Sequence, residues 1–208
     1  MKTIVERLTW LCLLALSLTA GCSRADPNAD VPEKRAKLSD GALVTVIGVV
    51  KGDEVRVQAD GRSARLRLVG LYSLDDAQST DPAAAEGLAA SILKAEVVGH
   101  LVTVRLGSPS EDEHGRYLGF LDAGGRDLNL SLLDGGRVVV YTEFPFDRES
   151  LYLKAESDAR AAKRGLWRRT DLVQTITGLR RQWADERAKR GGPPADDLLL
   201  ASIPVQRP

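Results

Sequence analysis

Cysteine and histidine are nearly missing: Cys12, Cys22, His100 and His114 are all that occur in 208 residues. So few thiol and imidazole ligands exclude a cysteine-rich zinc site, a multi-disulfide scaffold and most metallohydrolase clusters. Net charge is missing as well. Lys+Arg and Asp+Glu both number 29, giving a formal charge of zero, which argues against a protein that holds nucleic acid by bulk charge. Any such contact must come from a local patch. The apolar run Leu8–Ala20 has 13 residues, too short for a spanning helix, which needs about 20. What is present, 43% hydrophobic and 28% charged residues, is an ordinary globular composition, and the length suits one domain of roughly 130 to 150 residues with appendages.

Lys2 and Arg7 stand ahead of the short apolar run, which ends Leu18-Thr19-Ala20-Gly21-Cys22. A charged start, a short apolar stretch and small residues are the parts of a secretory signal. The last five residues resemble the bacterial lipobox, in which cleavage falls before an acylated cysteine, with Thr19 where leucine is usual. The expectation is a signal peptide over 1–21 and a lipid on Cys22. The protein would then lie in the bacterial cell envelope, anchored to the membrane and facing the periplasm or the exterior. The alternative is a plain secretory signal with an incidental cysteine. Cleavage would remove Cys12, and a lipidated Cys22 leaves no thiol for a disulfide. Several acyl chains would hold firmly, at about 0.8 kcal/mol per buried CH₂.

Residues 22–40 are polar, rich in Asp, Lys, Ala and Pro, and read as a flexible tether. From Ala42 a β-branched run to Val50 is followed by alternation over Val55–Ala59 and Ala64–Leu71, with Lys51-Gly52-Asp53 and Asp60-Gly61 as turns. This predicts three successive antiparallel strands. Pro82 opens a helix that carries Ala85, Leu88, Ala89, Ile92 and Leu93 on one face. Two more strands are expected over Leu101–Leu106 and Arg116–Leu121, separated by an acidic turn over Ser108–Gly115. A short helix over Leu128–Leu133 stops at Gly135-Gly136, and a short extended piece over Val138–Tyr141 precedes helices over 148–166 and 172–189. The fold class is therefore α+β: a five-stranded OB-fold β-barrel with a helix after strand 3 and C-terminal helices. The expected organisation is a domain over 41–168, a basic helical extension over 169–190 and a loose tail over 191–208.

Five stretches in this order resemble the staphylococcal nuclease family, the thermonuclease-like domains. Val50-Lys51-Gly52-Asp53-Glu54-Val55 is similar to the family's hairpin of aspartate, glycine, aspartate, threonine and valine. Arg67-Leu68-Val69-Gly70-Leu71-Tyr72-Ser73-Leu74-Asp75 is similar, without gaps, to RLxGIDAPE. Asp112-Glu113-His114-Gly115-Arg116 is close to D-x-Y-G-R. Leu128-Asn129-Leu130 with Leu133–Val140, and Ala155–Trp167, complete the set.

The resemblance implies a metal-assisted hydrolysis of phosphodiesters in DNA or RNA, with Arg67 clamping the attacked phosphate and Arg116 stabilising its charge. A guanidinium fork meets phosphate oxygens bidentately without losing its proton. It also implies a Ca²⁺ held by Asp53, the carbonyl of Ser73 and the neighbourhood of Asp75, which stands near the attacking water. Two family positions are degraded. Tyr72 replaces a ligating aspartate and Lys51 replaces an accessory one, so the calcium site is weakened, because such a shell needs carboxylates. Asp75 is one methylene shorter than the family's glutamate, and about 1 Å of misplacement can lower a rate on the order of 100-fold. On these grounds the enzymatic reading, a Ca²⁺-dependent nuclease, stands beside a catalytically inactive module that binds nucleic acid, another polyanion or an envelope protein. No obligate protein partner is expected, and the chain is expected to be monomeric.

His114 reads as an exposed turn residue, and His100 has no partner in the motifs. Between Arg160 and Arg190 there are ten Lys/Arg against Asp171, Asp185 and Glu186. That stripe suits polyanions, with Trp167 and Trp183 as stacking surfaces. It equally suits a solvated helical face near an anionic membrane surface, with Trp167 closing the core.

Overall fold

The structure, a computed structural model, describes residues 35–74 and 88–194. The chain divides after Pro32, and every described residue belongs to the unit that begins at Glu33.

Alternating side chains build the barrel. Strands β1 (Ala42–Lys51), β2 (Glu54–Ala59) and β3 (Arg62–Leu68) form an antiparallel meander. Asp60 and Gly61, with φ of 51° and 72°, make the two-residue turn between β2 and β3; positive φ at both positions matches the right-handed twist of the flanking strands. A short β4 (Leu71–Tyr72) follows, and after the helix α1 (Leu88–Val97) come β5 (Leu101–Glu111) and β6 (Tyr117–Ala123). β5 pairs with β1 and β6, and β6 returns parallel to β3 with Arg67 opposite Leu118. That last pairing closes a mixed five-stranded barrel and removes its free edges. Val44, Val46, Val55, Val57, Leu66 and Val104 point inward and are buried to 1% exposure or less. Each such burial is worth about 1.5–3 kcal/mol.

The expected fold class is the observed one: an α+β barrel of OB type with a helix after strand 3 and helices beyond it. Two details differ from the sequence reading. β5 runs on to Glu111, through the segment expected as a turn from Ser108, and the turn proper is Asp112–Arg116. At the end of the expected tether, Ala36 and Leu38 are buried. Leu38 N donates to the Tyr117 hydroxyl, which donates to Ala36 O, so residues from Arg35 onward dock on the barrel.

Past β6 lie a two-residue β7 (Arg126–Asp127), α2 (Leu128–Asp134) and β8 (Val139–Val140). They are followed by α3 (Glu149–Ala161), a 3₁₀ turn (Gly165–Arg168) and α4 (Thr170–Lys189). Asp127 caps α2 by accepting from Leu130 N at 3.0 Å. The same carboxylate receives Arg148 and the Tyr152 hydroxyl, so one acid joins the start of α2 to α3. Beside the barrel a second apolar cluster gathers Leu74, Val139, Ala159, Trp167, Ile176 and Trp183.

The basic stripe over 160–190 is not one solvated face. Arg180 and Arg187 are buried to 4% and 3% exposure. Arg180 pairs with Glu156 of α3 at 2.5 Å. Arg187 grips Glu149 with both Nη atoms and donates to Thr142 O. Trp183 is likewise core rather than a stacking surface. Inward arginines are tolerated because each has a carboxylate already in reach; unpaired, they would be expelled. Among the described residues no helix is long and apolar enough to cross a membrane.

Candidate active site

The hairpin between β1 and β2 delivers two acids side by side, Asp53 and Glu54, both nearly fully buried. Asp53 is fixed by its own backbone, since its carbonyl accepts from Leu68 N at 2.9 Å. Its Oδ2 receives Ser73 N at 3.1 Å and Nη2 of Arg67 at 3.2 Å. Glu54 lies opposite Arg67 in the β2–β3 register, yet its carboxylate serves other arginines. Oε1 takes Arg65 at 2.6 Å and Oε2 takes Arg116 at 2.9 Å.

Arg116 ends the tight turn that enters β6. Asp112 builds that turn: its Oδ1 accepts from the backbone N–H of His114 and Arg116, and its Oδ2 accepts from Nε of Arg116 at 2.7 Å. Gly115, at φ 70°, supplies the left-handed residue the turn requires. Burial pushes the Asp112 carboxyl up, but the bonds and charge from Arg116 outweigh it and hold it below its ordinary value. Burial likewise pushes the Arg116 guanidinium down, and Asp112 with Glu54 more than restores it. The pair is therefore ionised across the neutral range.

Parallel pairing of β3 with β6 puts Arg67 and Arg116 on adjacent strand ends. Their side chains remain 21% and 19% exposed, so each is partly desolvated but still open to a ligand. Arg67 also sits over the Tyr141 ring, 5.8 Å from its centroid. Tyr141 follows β8, and its N–H donates to Gly70 O. Gly70 has φ 75°, and a Cβ there would collide with the Phe146 ring, so only glycine lets β4 begin where it does. Burial pushes the Tyr141 hydroxyl up, and its bond to Glu143 at 2.6 Å adds to this. It stays a neutral donor at any physiological pH.

Of the residues expected in the site, the structure brings together Arg67, Arg116, Asp53 and Ser73. Asp75 and Cys22 lie outside the described residues. Lys51 is exposed on the hairpin, paired in register with Glu54. Tyr72 lies in an aromatic setting. It pairs in register with Val139 of β8, stacks with Tyr141 at 6.2 Å and meets Trp183 edge-on at 5.0 Å.

Among the described residues no group of three or more His, Cys, Asp or Glu is placed to hold a metal. Asp53, already paired with Arg67, and the Ser73 carbonyl fall well short of the 6–8 oxygens that Ca²⁺ takes. The described donor set does not fit that ion. Sequence reasoning also passed over Glu54, the acid that holds Arg65 and Arg116. The signal for it was there, a buried-strand position filled by a carboxylate directly opposite an arginine-rich strand.

The described site is thus a closed barrel with two carboxylate-held arginines at the meeting of β3 and β6. Residues 65–169 match the family described as staphylococcal nuclease homologue, half of the chain, and the chain belongs to that family. Over 117 residues it is 30% identical to Endonuclease YhcR of Bacillus subtilis (strain 168), covering 50% of this chain but only 10% of that protein. Over 145 residues it is 25% identical to Thermonuclease of Staphylococcus intermedius, covering 68% of this chain and 86% of that protein.

Proposed function

We propose that this protein hydrolyses phosphodiester bonds of DNA or RNA at the strand ends where β3 meets β6. The carrying observation is the pair Arg67 and Arg116, partly buried, fixed by Asp53, Glu54 and Asp112, and free at their outer edges. A scissile phosphate entering between them meets two guanidinium forks that need not reorganise as charge builds on its oxygens. Water attacks phosphorus, its proton passes to a carboxylate, the role the family resemblance gives Asp75, and the bond from phosphorus to the leaving oxygen breaks, the departing oxygen taking up a proton from solvent. No step is assigned to a cation, since the described donors do not fit one.

The test is turnover of single-stranded DNA and of RNA by the purified chain, with and without EDTA. Arg116→Ala should lower kcat roughly 100-fold with a smaller change in substrate affinity, because the arginine acts chiefly on charge that develops in the transition state. Turnover indifferent to Arg116→Ala would overturn the reading.

The packing of Tyr72 against Trp183 and Tyr141 favours a second reading: a binding module that holds nucleic acid or another polyanion without chemistry. In that case the parent shows no turnover, and Arg67→Ala and Arg116→Ala weaken affinity and its salt dependence instead.

We further propose that a lipid on Cys22 anchors the chain in the bacterial cell envelope. The support is the short apolar run ending Leu18–Cys22. Cys22→Ala should release the protein from the membrane fraction or block its processing; unchanged fractionation and processing would refute the anchor.

A further inference from the structure

Nine of the ten cations between Arg160 and Arg190, Arg181 of α4 being the tenth, separate into two groups. Arg169, Arg180, Arg187, Lys189 and Arg190 each hold a carboxylate. Arg160, Lys163, Arg164 and Arg168 form no ion pair among the described residues. They fall within nine consecutive residues that contain no acid. The acids nearest in sequence are engaged elsewhere: Glu156 with Arg180, Asp158 with Lys154 and Asp171 with Arg169.

These four cations occupy one stiff corner. At the end of α3, Arg164 N donates to Ala159 O at 2.8 Å, Lys163 turns the chain at φ 50°, and Trp167 N donates to Arg164 O. Arg168 Nε reaches back to Lys163 O at 3.3 Å, and the Arg160 guanidinium lies 5.7 Å from the centre of the buried Trp167 ring. Leu166 N donates to Gly136 O, pinning the corner to the end of α2. Lys163, Arg164 and Arg168 are exposed. In a chain of zero net charge this is a local, unneutralised and pre-ordered concentration of positive charge.

We propose that this corner is a second phosphate-binding surface, which holds the backbone of a nucleic-acid strand through residues other than Arg67 and Arg116. A corner whose backbone is already fixed has no loop to order on binding, so only the ordering of its side chains opposes association. Counterion release from phosphates then gives affinity without base readout. An anionic membrane fits the same surface less well. A helix or loop that docks on lipid inserts apolar side chains beside its cations, and none of the large exposed hydrophobic residues lies between Arg160 and Arg168. The proposal shares its ligand class with the proposed function, but it does not depend on hydrolysis.

The experiment uses the full chain carrying Cys22→Ala, so that no lipid brings it to vesicles, and a fluorescent single-stranded DNA oligonucleotide read by anisotropy over a salt series. A triple variant, Lys163→Ala with Arg164→Ala and Arg168→Ala, should lose roughly tenfold or more in affinity, and its slope of log affinity against log salt should flatten by about 2. Lys189→Ala, which removes a cation already paired, should leave both unchanged. Circular dichroism and thermal melting confirm that the triple variant is folded. A triple variant with the parent's affinity and slope overturns the proposal, as does a parent that does not bind the oligonucleotide. So does loss of binding to equimolar phosphatidylglycerol–phosphatidylcholine vesicles with DNA binding unchanged. Absence of turnover in a parent that binds through this corner would sink the nuclease reading alone.

Discussion

The rings of Tyr72 and Trp183 meet edge to face, 5.0 Å between centroids and 63° between planes. One belongs to a two-residue strand beside the site, and the other to the long helix α4. Trp183 also meets Tyr141 at 5.0 Å and 86°, so a single indole backs both tyrosines at the rim, and Tyr141 in turn lies under Arg67.

Removing that indole should be severe. Trp183→Ala is expected to lower stability by about 3–5 kcal/mol, the usual effect of emptying a large buried aromatic site, measured by urea unfolding. Trp183→Phe should recover most of this loss. Tyr72→Asp is expected to destabilise without creating calcium affinity better than millimolar, because the new carboxylate enters an aromatic contact rather than a ligand shell. Calorimetric titration with Ca²⁺ checks the second part, and micromolar binding would contradict it.

The pair Arg187 and Glu149 gives a second expectation. Arg187 holds Glu149 at 2.5 and 3.0 Å while buried. Breaking such a pair from one side strands a charge and costs about 3–5 kcal/mol. Glu149→Ala should therefore be strongly destabilising, whereas Arg187→Met with Glu149→Leu should restore much of the loss. A double-mutant cycle by denaturant melts reads the coupling. Equal and additive losses would show that the contact carries no such energy.

Asp112 sets an acid limit. Its folded pKa lies below the ordinary 3.8. A depressed carboxylate stabilises the fold above its unfolded value and loses that contribution as pH falls through the folded one. Stability should thus drop below about pH 4, and Asp112→Asn should be less stable at neutral pH yet flatter across the acid range. Thermal melts at stepped pH decide it; parallel curves for parent and variant would contradict the assignment.

Gly136 and Gly165 cross so closely that a Cβ on either would strike the other segment's backbone, and both have positive φ, 62° and 53°. Gly136→Ala should lower stability by more than the roughly 1–2 kcal/mol of left-handed strain alone, since the Arg164 carbonyl must also move. A loss below that, by urea unfolding, would mean the crossing yields easily.

The barrel was readable where one face of a strand is apolar, as with Val55 and Val57 in β2 or Leu66 and Leu68 in β3. It was unreadable where pairing is polar. Residues Ser108–Glu111 carry no apolar alternation, yet they extend β5, and the register with β6 jumps between Leu106 and Glu111. Arg67 and Arg116 were legible through motif resemblance. Their restraints were only partly so, because Glu54 is adjacent to a motif acid and looks like a hairpin residue. The aromatic surroundings of Tyr72 come from Tyr141 and Trp183, distant in sequence, and no local pattern announces them. The buried face of α4 was hidden for the same reason. Arg180 and Arg187 count as solvent residues until Glu156 and Glu149 are seen beneath them.

Parallel pairing of β3 with β6 has a kinetic meaning. It joins segments separated by a helix and a full strand, so loop closure must precede any gain from the contact, and such pairings form late. Arg67 belongs to one of these strands and Arg116 leads into the other. A chain with its meander formed but its barrel open holds each arginine on a different unfinished edge. The two-arginine arrangement therefore comes into being with closure itself, and a chain whose barrel is still open would be unable to engage a phosphate between them.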